Sequence, residues 1–235
     1  MADPCIVLGA LATTTDRIRL GALITPLARR RPWKVARETA SLDRLSGGRL
    51  IFGAGLGATS TPEFSAFGEE SDLRRRASML DDGLELLTEF WSGELVEHEG
   101  PEYEVHGVAF QPTPLQRPRI PVWIGAKWPA KPGFRRAARW DGVFPIHRDV
   151  GPGEMMTPQQ LGEIVEFTRA HREVDGPFDV ALESASEGAD PAADLAATEP
   201  YREAGLTWWI ERMHPARGPV AEMRARLEAG PPRDS

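Results

Sequence analysis

The stretch RLIFGAGLGATSTPEF, Arg49 to Phe64, carries the densest signal for chemistry in the chain. Gly53, Gly55 and Ala58 stand in the order of the dinucleotide fingerprint G-x-G-x-x-G/A, directly after a strand-like run. That fingerprint works by turning straight into a helix whose free N–H groups take a pyrophosphate, with an acidic residue ~20 positions later at the next strand end. Here Thr59, Ser60, Thr61 and Pro62 separate the glycines from any helix, and Asp72 lies beside Arg74, Arg75 and Arg76 in a helical run. The dinucleotide reading fails on both counts. What remains is a strand whose missing side chains let a neighbouring strand approach and leave room at its end for a flat ring system.

Other chemistry-bearing residues fall at the ends of predicted strands: Thr25, Gly57 with Ala58, Lys127 with Trp128, His147, Glu183, and Glu211 with Arg212. In an α/β barrel the reactive face is the one at the C-terminal strand ends. Few acids and many neutral positions suit a protein whose cofactor carries the hard chemistry. Lys127, Lys131, Arg135 and Arg136 cluster where a short helix begins after a strand, an arrangement that can take a phosphate or simply form a solvated basic face. His147, in FPIHRD, is a candidate general acid or polar ring contact, and otherwise a loop histidine paired with Asp149.

The remaining candidates are weaker. His98, His106, His171 and His214 fall in a predicted hairpin or in charged segments without metal-ligand spacing. Ser184 and Ser186 lack a G-x-S-x-G elbow, and Glu183 with Glu211 would be a glycosidase-like pair only in another kind of barrel. Trp208 and Trp209, at adjacent strand positions, point to opposite faces and read as core. Cys5 is the only cysteine, so the chain forms no internal disulfide and suits a reducing cytoplasm, with Cys5 a small buried side chain and not a nucleophile.

The elements that must position these residues alternate. A helix from Pro4 to Thr14, with Asp3 as its cap, precedes a strand over Arg17 to Thr25. The run RRRPWKVARETASLDRLSGG reads as a helix with Trp33, Ala36, Ala40 and Leu45 inward, stopped by Gly47 and Gly48. After the strand RLIFGAG, a long amphipathic helix over Glu69 to Trp91 carries Leu73, Ala77, Leu80, Leu84, Leu87 and Trp91 on one face. Residues 93–118 read as a β-hairpin insertion ending in a proline-rich segment. Strands RIPVWIGA, DGVFPI, FDVALES and LTWWIER then alternate with helices over Phe134 to Trp140, Pro158 to Val174, Pro191 to Ala204 and Pro219 to Ala229. Six strands separated mostly by helices imply a parallel sheet with right-handed crossovers.

The 235 residues fit one α/β domain spanning the whole chain, and 41% hydrophobic against 27% charged residues predicts a packed core. With 28 Lys and Arg against 35 Asp and Glu, bulk attraction to nucleic acid or an anionic membrane is not expected. No apolar run approaches the ~20 residues of a membrane span.

The block LGALATTTDRIRLGALITPLARRRPWKVARETASLDRLSGGRLIFGAGLG resembles the luciferase-like flavin-dependent oxidoreductases of the bacterial luciferase type. EFSAFGEE, LDDGLELLTEFWSGE, FQPTPLQRPRIPVWIGAKWP, RRAARWDGVFP and AGLTWWIERMHP continue the resemblance over essentially the whole chain. It implies a TIM-type (β/α)8 barrel, here with about six of its eight strands. It also implies FMN, or in a related branch the deazaflavin coenzyme F-420, at the C-terminal face.

The activity implied is an FMN-dependent monooxygenase acting on a small organic molecule. The alternatives are an F-420-dependent dehydrogenase or reductase, and a non-catalytic barrel fragment. A flavin reductase or a second copy of the chain would be the partner. By position, the resemblance puts a non-prolyl cis peptide at Leu23 to Ile24, with Thr25, against the ring face. Gly53, Gly55, Gly57 and Ala58 fall beside the cofactor, and Gly125, Ala126, Lys127 and Trp128 near its phosphate.

Two departures from the pattern matter. Ala58 stands where the sugar-phosphate dehydrogenases of the deazaflavin branch carry a glutamate, which argues against that activity. Members also begin with a strand, a helix and a second strand ahead of the helix that starts here at Asp3, so the expectation is an N-terminally truncated barrel.

Overall fold

Helix α1, Pro4–Thr14, begins where Asp3 accepts the N–H groups of Cys5 and Ile6 at 2.9 and 3.1 Å, the cap its sequence predicted. The computed structural model describes residues 2–58, 62–151, 153–188, 190–213 and 217–231; Thr59, Ser60, Thr61 and His214 lie outside them. Two units divide the chain, Met1–Gly125 and Ala126–Ser235.

In the first unit, strands β1 (Thr25–Pro26), β2 (Phe52–Gly55) and β5 (Val122–Trp128) run parallel, with Thr25 opposite Ala54 and Phe52 opposite Val122. The strand expected over Arg17 to Thr25 is shorter than its composition suggested. Leu20 bridges Leu50, the chain then turns at Leu23 and Ile24, and the ladder resumes only at Thr25.

Helix α2, Pro32–Leu45, ends where Gly47 and Gly48 take φ of +67° and +82°, as the glycine pair predicted. Its inward face is Val35, Ala36, Thr39, Ala40, Leu42 and Asp43. Trp33 and Leu45 are exposed, contrary to expectation; the indole instead meets Tyr103 edge-on at 6.3 Å. Helix α3, Leu73–Ser92, buries Leu80, Leu84, Leu87 and Trp91, whereas Leu73 in its first turn stays exposed. Trp91 donates to Thr39 Oγ1 at 3.0 Å, joining α3 to α2 inside the core.

The insertion is the antiparallel pair β3 (Val96–Glu99) and β4 (Glu104–Val108), followed by a proline-rich loop. Two buried carboxylates fasten it. Asp43 accepts from the Leu115 and Gln116 N–H groups and Gln116 Nε2 at 2.7, 3.1 and 2.7 Å. Asp82 accepts from the N–H groups of Glu102 and Tyr103, both at 2.8 Å, and its other oxygen meets His98 Nε2 at 2.8 Å.

In the second unit, β5 leads to β6 (Gly142–His147), β7 (Asp179–Ser184) and β8 (Trp208–Glu211); β6, β7 and β8 run parallel, with Gly142 opposite Asp179 and Ala181 opposite Trp208. The intervening helices are α4 (Lys131–Ala137), α5 (Pro158–Ala170), α6 (Pro191–Glu203) and α7 (Val220–Ala229). Helix α4 starts three residues earlier than expected because Pro132 suits a first turn. Helix α5 stops earlier, at a His171 cap whose Nδ1 bonds the Phe167 carbonyl at 2.8 Å. Among the described residues, no helix is long and apolar enough to cross a membrane.

His98 gives the insertion a pH dependence. Burial alone would lower its pKa, but hydrogen bonds to Asp82 and Glu89 outweigh that and raise it above the ordinary histidine value. The resulting stabilisation is fully present below the unfolded value, about 6.5, and is lost as pH rises through the raised folded value. Urea unfolding of wild type and His98→Gln should therefore show a stability gap that shrinks from the acid to the alkaline side of that window. A gap independent of pH would refute the assignment.

Candidate functional site

The segment that leads into β1 rests on glycine. A Cβ on Gly125 would lie 2.6 Å from Ile24 Cδ1 and 3.0 Å from its Cγ2, and one on Gly55 would collide with the same Cδ1. A Cβ on Gly53 would run into the Ala22 carbonyl oxygen. The space these glycines leave is therefore taken by the Ala22–Ile24 segment and is not an open floor for a ring. The Leu23–Ile24 peptide bond is cis, as the resemblance implied, and Thr25 follows it into the ladder with Ala54.

Gly57 is required for a different reason. Its φ is +79°, and a side chain there would meet the Phe64 ring at 2.7 Å and Pro26 Cβ at 2.9 Å. Phe64 is buried, and the Arg76 guanidinium stacks over its ring at 3.9 Å. Arg76 is itself 2% exposed; its Nη1 donates to the Leu56 carbonyl at 3.1 Å, while its Nε has no hydrogen-bond partner. Neither residue was singled out from the sequence. The available signal was an arginine four residues before Leu80, on the apolar stripe of α3. Ala58 is exposed, and the first acid after it, Glu63, is paired with Arg29 at 2.8 Å.

The second unit holds the other predicted residues. Ala126 and Trp128 are buried and Lys127 is exposed. The expected basic cluster does not converge. Lys131 Nζ sits 3.1 Å from the centre of the Trp128 ring and 4.3 Å from that of Phe167, Arg136 is buried, and Arg135 is exposed. Helix α4 has seven residues and no side-chain cap, so it offers little as a phosphate cradle.

His147 lines a cavity of about 480 Å³ at the ends of β6 and β7, within the ~300–1,000 Å³ range of small-molecule sites. Phe144, Ile146, Val150, Met156 and Leu182 form its apolar wall, and Glu183, Arg212 and Arg217 add charge. His147 is 8% exposed, and its Nδ1 accepts the Asp149 backbone N–H at 3.2 Å, whereas the Asp149 carboxylate is 4.0 Å away. An Nδ1 that accepts leaves the ring proton on Nε2, so the neutral imidazole is a donor at that atom.

The two strand-end glutamates differ. Burial alone would raise the Glu211 pKa, but hydrogen bonds from Arg217, the Ser186 N–H and Trp209 hold it below the ordinary carboxylate range. Glu211 is thus a structural anion, and Arg217 is committed to it. Glu183 is half-exposed and 3.3 Å from Arg212 Nε. Cys5, beside Glu38, has its pKa raised by burial first and by that carboxylate second, which makes it a poor nucleophile.

A family model described as luciferase-like monooxygenase matches residues 1–174. The chain belongs to that family. An F420-dependent glucose-6-phosphate dehydrogenase from Rhodococcus hoagii is 28% identical over 94% of the chain and 64% of the relative. The chain spans under two-thirds of the length of such curated relatives.

Two solved structures share the fold. The coenzyme F420 dependent tetrahydromethanopterin reductase from Methanopyrus kandleri aligns with a TM-score of 0.73 at 20% identity, over 97% of this chain and 86% of that one. A monooxygenase from Streptomyces bottropensis aligns with a TM-score of 0.64 at 23% identity, over 97% and 66%. An α/β fold with a mostly parallel sheet, as the family pattern implied, is what the units display.

The glycine strand makes a graded prediction. Gly53→Ala forces a backbone carbonyl to move, whereas Gly125→Ala displaces only side-chain atoms of Ile24. Overpacking costs typically ~1–3 kcal/mol, so Gly53→Ala should fall at or beyond the upper end and Gly125→Ala near the lower. Denaturant titration of the two variants decides it; the reverse order would mean that the Ala22–Ile24 segment is free to shift.

Proposed function

We propose that this chain is the core of an oxidoreductase that uses the deazaflavin coenzyme F-420 and acts on a small organic molecule. The similarity over 94% of the chain to an F420-dependent dehydrogenase carries the reading. Leu23, Ile24, Thr25, Gly57, Ala58 and Gly125, all in the first unit, are the residues that would hold the ring of the coenzyme. The first unit fits that role: an apolar strand end, backed by glycine and flanked by the Phe64 ring, is a surface for a flat heterocycle. The dispersed basic residues give the phosphate part less support. FMN with oxygen is the competing reading, favoured by the family description itself.

When bound, the coenzyme supplies or accepts a hydride. The chain's own contribution is hydrogen-bond donation and exclusion of water. In the second unit, His147 Nε2–H, buried in its cavity, would donate a hydrogen bond to a carbonyl or hydroxyl oxygen of the ligand held there, polarising it without surrendering the proton. A sugar phosphate is disfavoured as substrate. Ala58 replaces the expected glutamate, and Glu63 is engaged with Arg29.

Titration of the protein with oxidised coenzyme F-420 and with FMN, followed by quenching of cofactor fluorescence, should give saturable F-420 binding at least tenfold tighter than FMN. Preference for FMN would transfer the proposal to the monooxygenase reading, and binding of neither would remove it. His147→Phe should leave F-420 binding within about twofold while lowering turnover by ~10²–10³, the usual cost of losing one preorganised hydrogen-bond donor.

A further inference from the structure

The cavity of the second unit contains a cation that the protein leaves partly unused. Arg212 follows β8, its side chain is 14% exposed, and it lines the cavity with His147. Its Nη2 donates to the Glu154 carbonyl at 3.0 Å. Its Nε is buried without a hydrogen-bond partner, although Glu183 Oε1 lies 3.3 Å away, because the pair is not aligned for one. Buried N–H groups are normally paired, and a charged donor left unmade is costly.

Arg217, also on the wall, offers no comparable vacancy. Its Nη1 serves Glu211 and the Arg212 carbonyl at 2.5 and 2.9 Å, and its Nη2 serves the Ser186 carbonyl at 2.6 Å. Arg226 is likewise spent, on Ser186 Oγ at 2.8 Å and the Gly230 carbonyl at 2.6 Å. Of the three, Arg212 alone keeps an unbonded, buried guanidinium N–H. Its present counter-ion, Glu183, is half in solvent and free to leave.

We propose that Arg212 selects a carboxylate on the cavity's ligand, an otherwise apolar small molecule, and that Glu183 occupies the guanidinium until that carboxylate displaces it. Phe144, Met156 and Leu182 match the apolar body, Arg212 the charged end, and His147 Nε2–H a second acceptor atom. Guanidinium and carboxylate form two parallel hydrogen bonds, which a misaligned Glu183 does not. Calling the ligand a substrate rests on the oxidoreductase reading above; the carboxylate preference itself does not.

Calorimetric titration without cofactor tests this with benzoate, its neutral isostere benzamide, and inorganic phosphate as probes. Benzoate should bind saturably and at least tenfold tighter than either of the others. Arg212→Gln should weaken benzoate at least tenfold. Glu183→Gln, on a half-exposed residue that the fold tolerates, should strengthen benzoate several-fold and leave benzamide unchanged.

Equal binding of benzamide, tighter binding of phosphate, or weaker benzoate binding by Glu183→Gln would overturn the proposal. If Arg212→Gln fails to fold, the opposite-signed Glu183→Gln result still decides. Because no cofactor is present, these outcomes are independent of whether F-420 binds.

Discussion

The segment entering β1 is held by a contact that only glycine permits. Ile24 occupies the volume that side chains at positions 55 and 125 would fill, and Gly53 lies against the Ala22 backbone. Residues on three strands are thereby fixed against one another with almost no side-chain freedom. Everything else at this end of the sheet follows from that seat. Thr25 enters the ladder in one register, Pro26 closes on Gly57, and the Phe64 ring covers the turn. The position of this segment is thereby set by backbone contacts and does not depend on a side-chain rotamer at positions 53, 55 or 125.

The insertion is attached by the opposite kind of interaction. Asp43 and Asp82 are almost fully buried, and each spends its charge on N–H groups of residues 102–116. A buried carboxylate is costly unless fully hydrogen-bonded, and here backbone amides do most of the bonding. Such anchors fix where a loop sits without needing an apolar face on it. That is how the hairpin carries four glutamates at positions 97, 99, 102 and 104 yet remains docked.

Periodicity and punctuation made the elements legible. Asp3 with Pro4, Pro32, the pair Gly47 and Gly48, and the leucine stripe of α3 each carry local rules that the structure obeys. Local rules failed where a tertiary contact decided. The composition of RIRLGALIT reads as one unbroken strand, and only the resemblance marked Leu23 and Ile24, where the chain turns; Trp33 reads as core, yet it stays exposed with one edge against the buried Tyr103 ring of the insertion.

The site was less legible than the fold. Its glycines were found, and with them the close approach of a neighbouring segment, but sequence cannot show that Ile24 is the side chain that fills the space. The basic cluster was a matter of sequence proximity alone. A helix and two aromatic rings send Lys131, Arg135 and Arg136 to different environments.

At the ends of β7 and β8 the chain separates charges that serve the fold from charges left for a ligand. Glu211 collects Arg217, Ser186 and Trp209 and has its pKa depressed by them, so it stays an anion through the neutral range. With Arg226 on the same serine, helix α7 is tied to β7 and β8. The neighbouring pair, Glu183 and Arg212, has the same charges but neither the alignment nor the burial on its acidic side. A complete network is rigid, whereas an unmade bond on a buried charge is costly and favours a ligand that completes it. Adjacent residues of one strand end therefore divide the work: Glu211 fixes the wall, and Arg212 faces the cavity with a bond still to make.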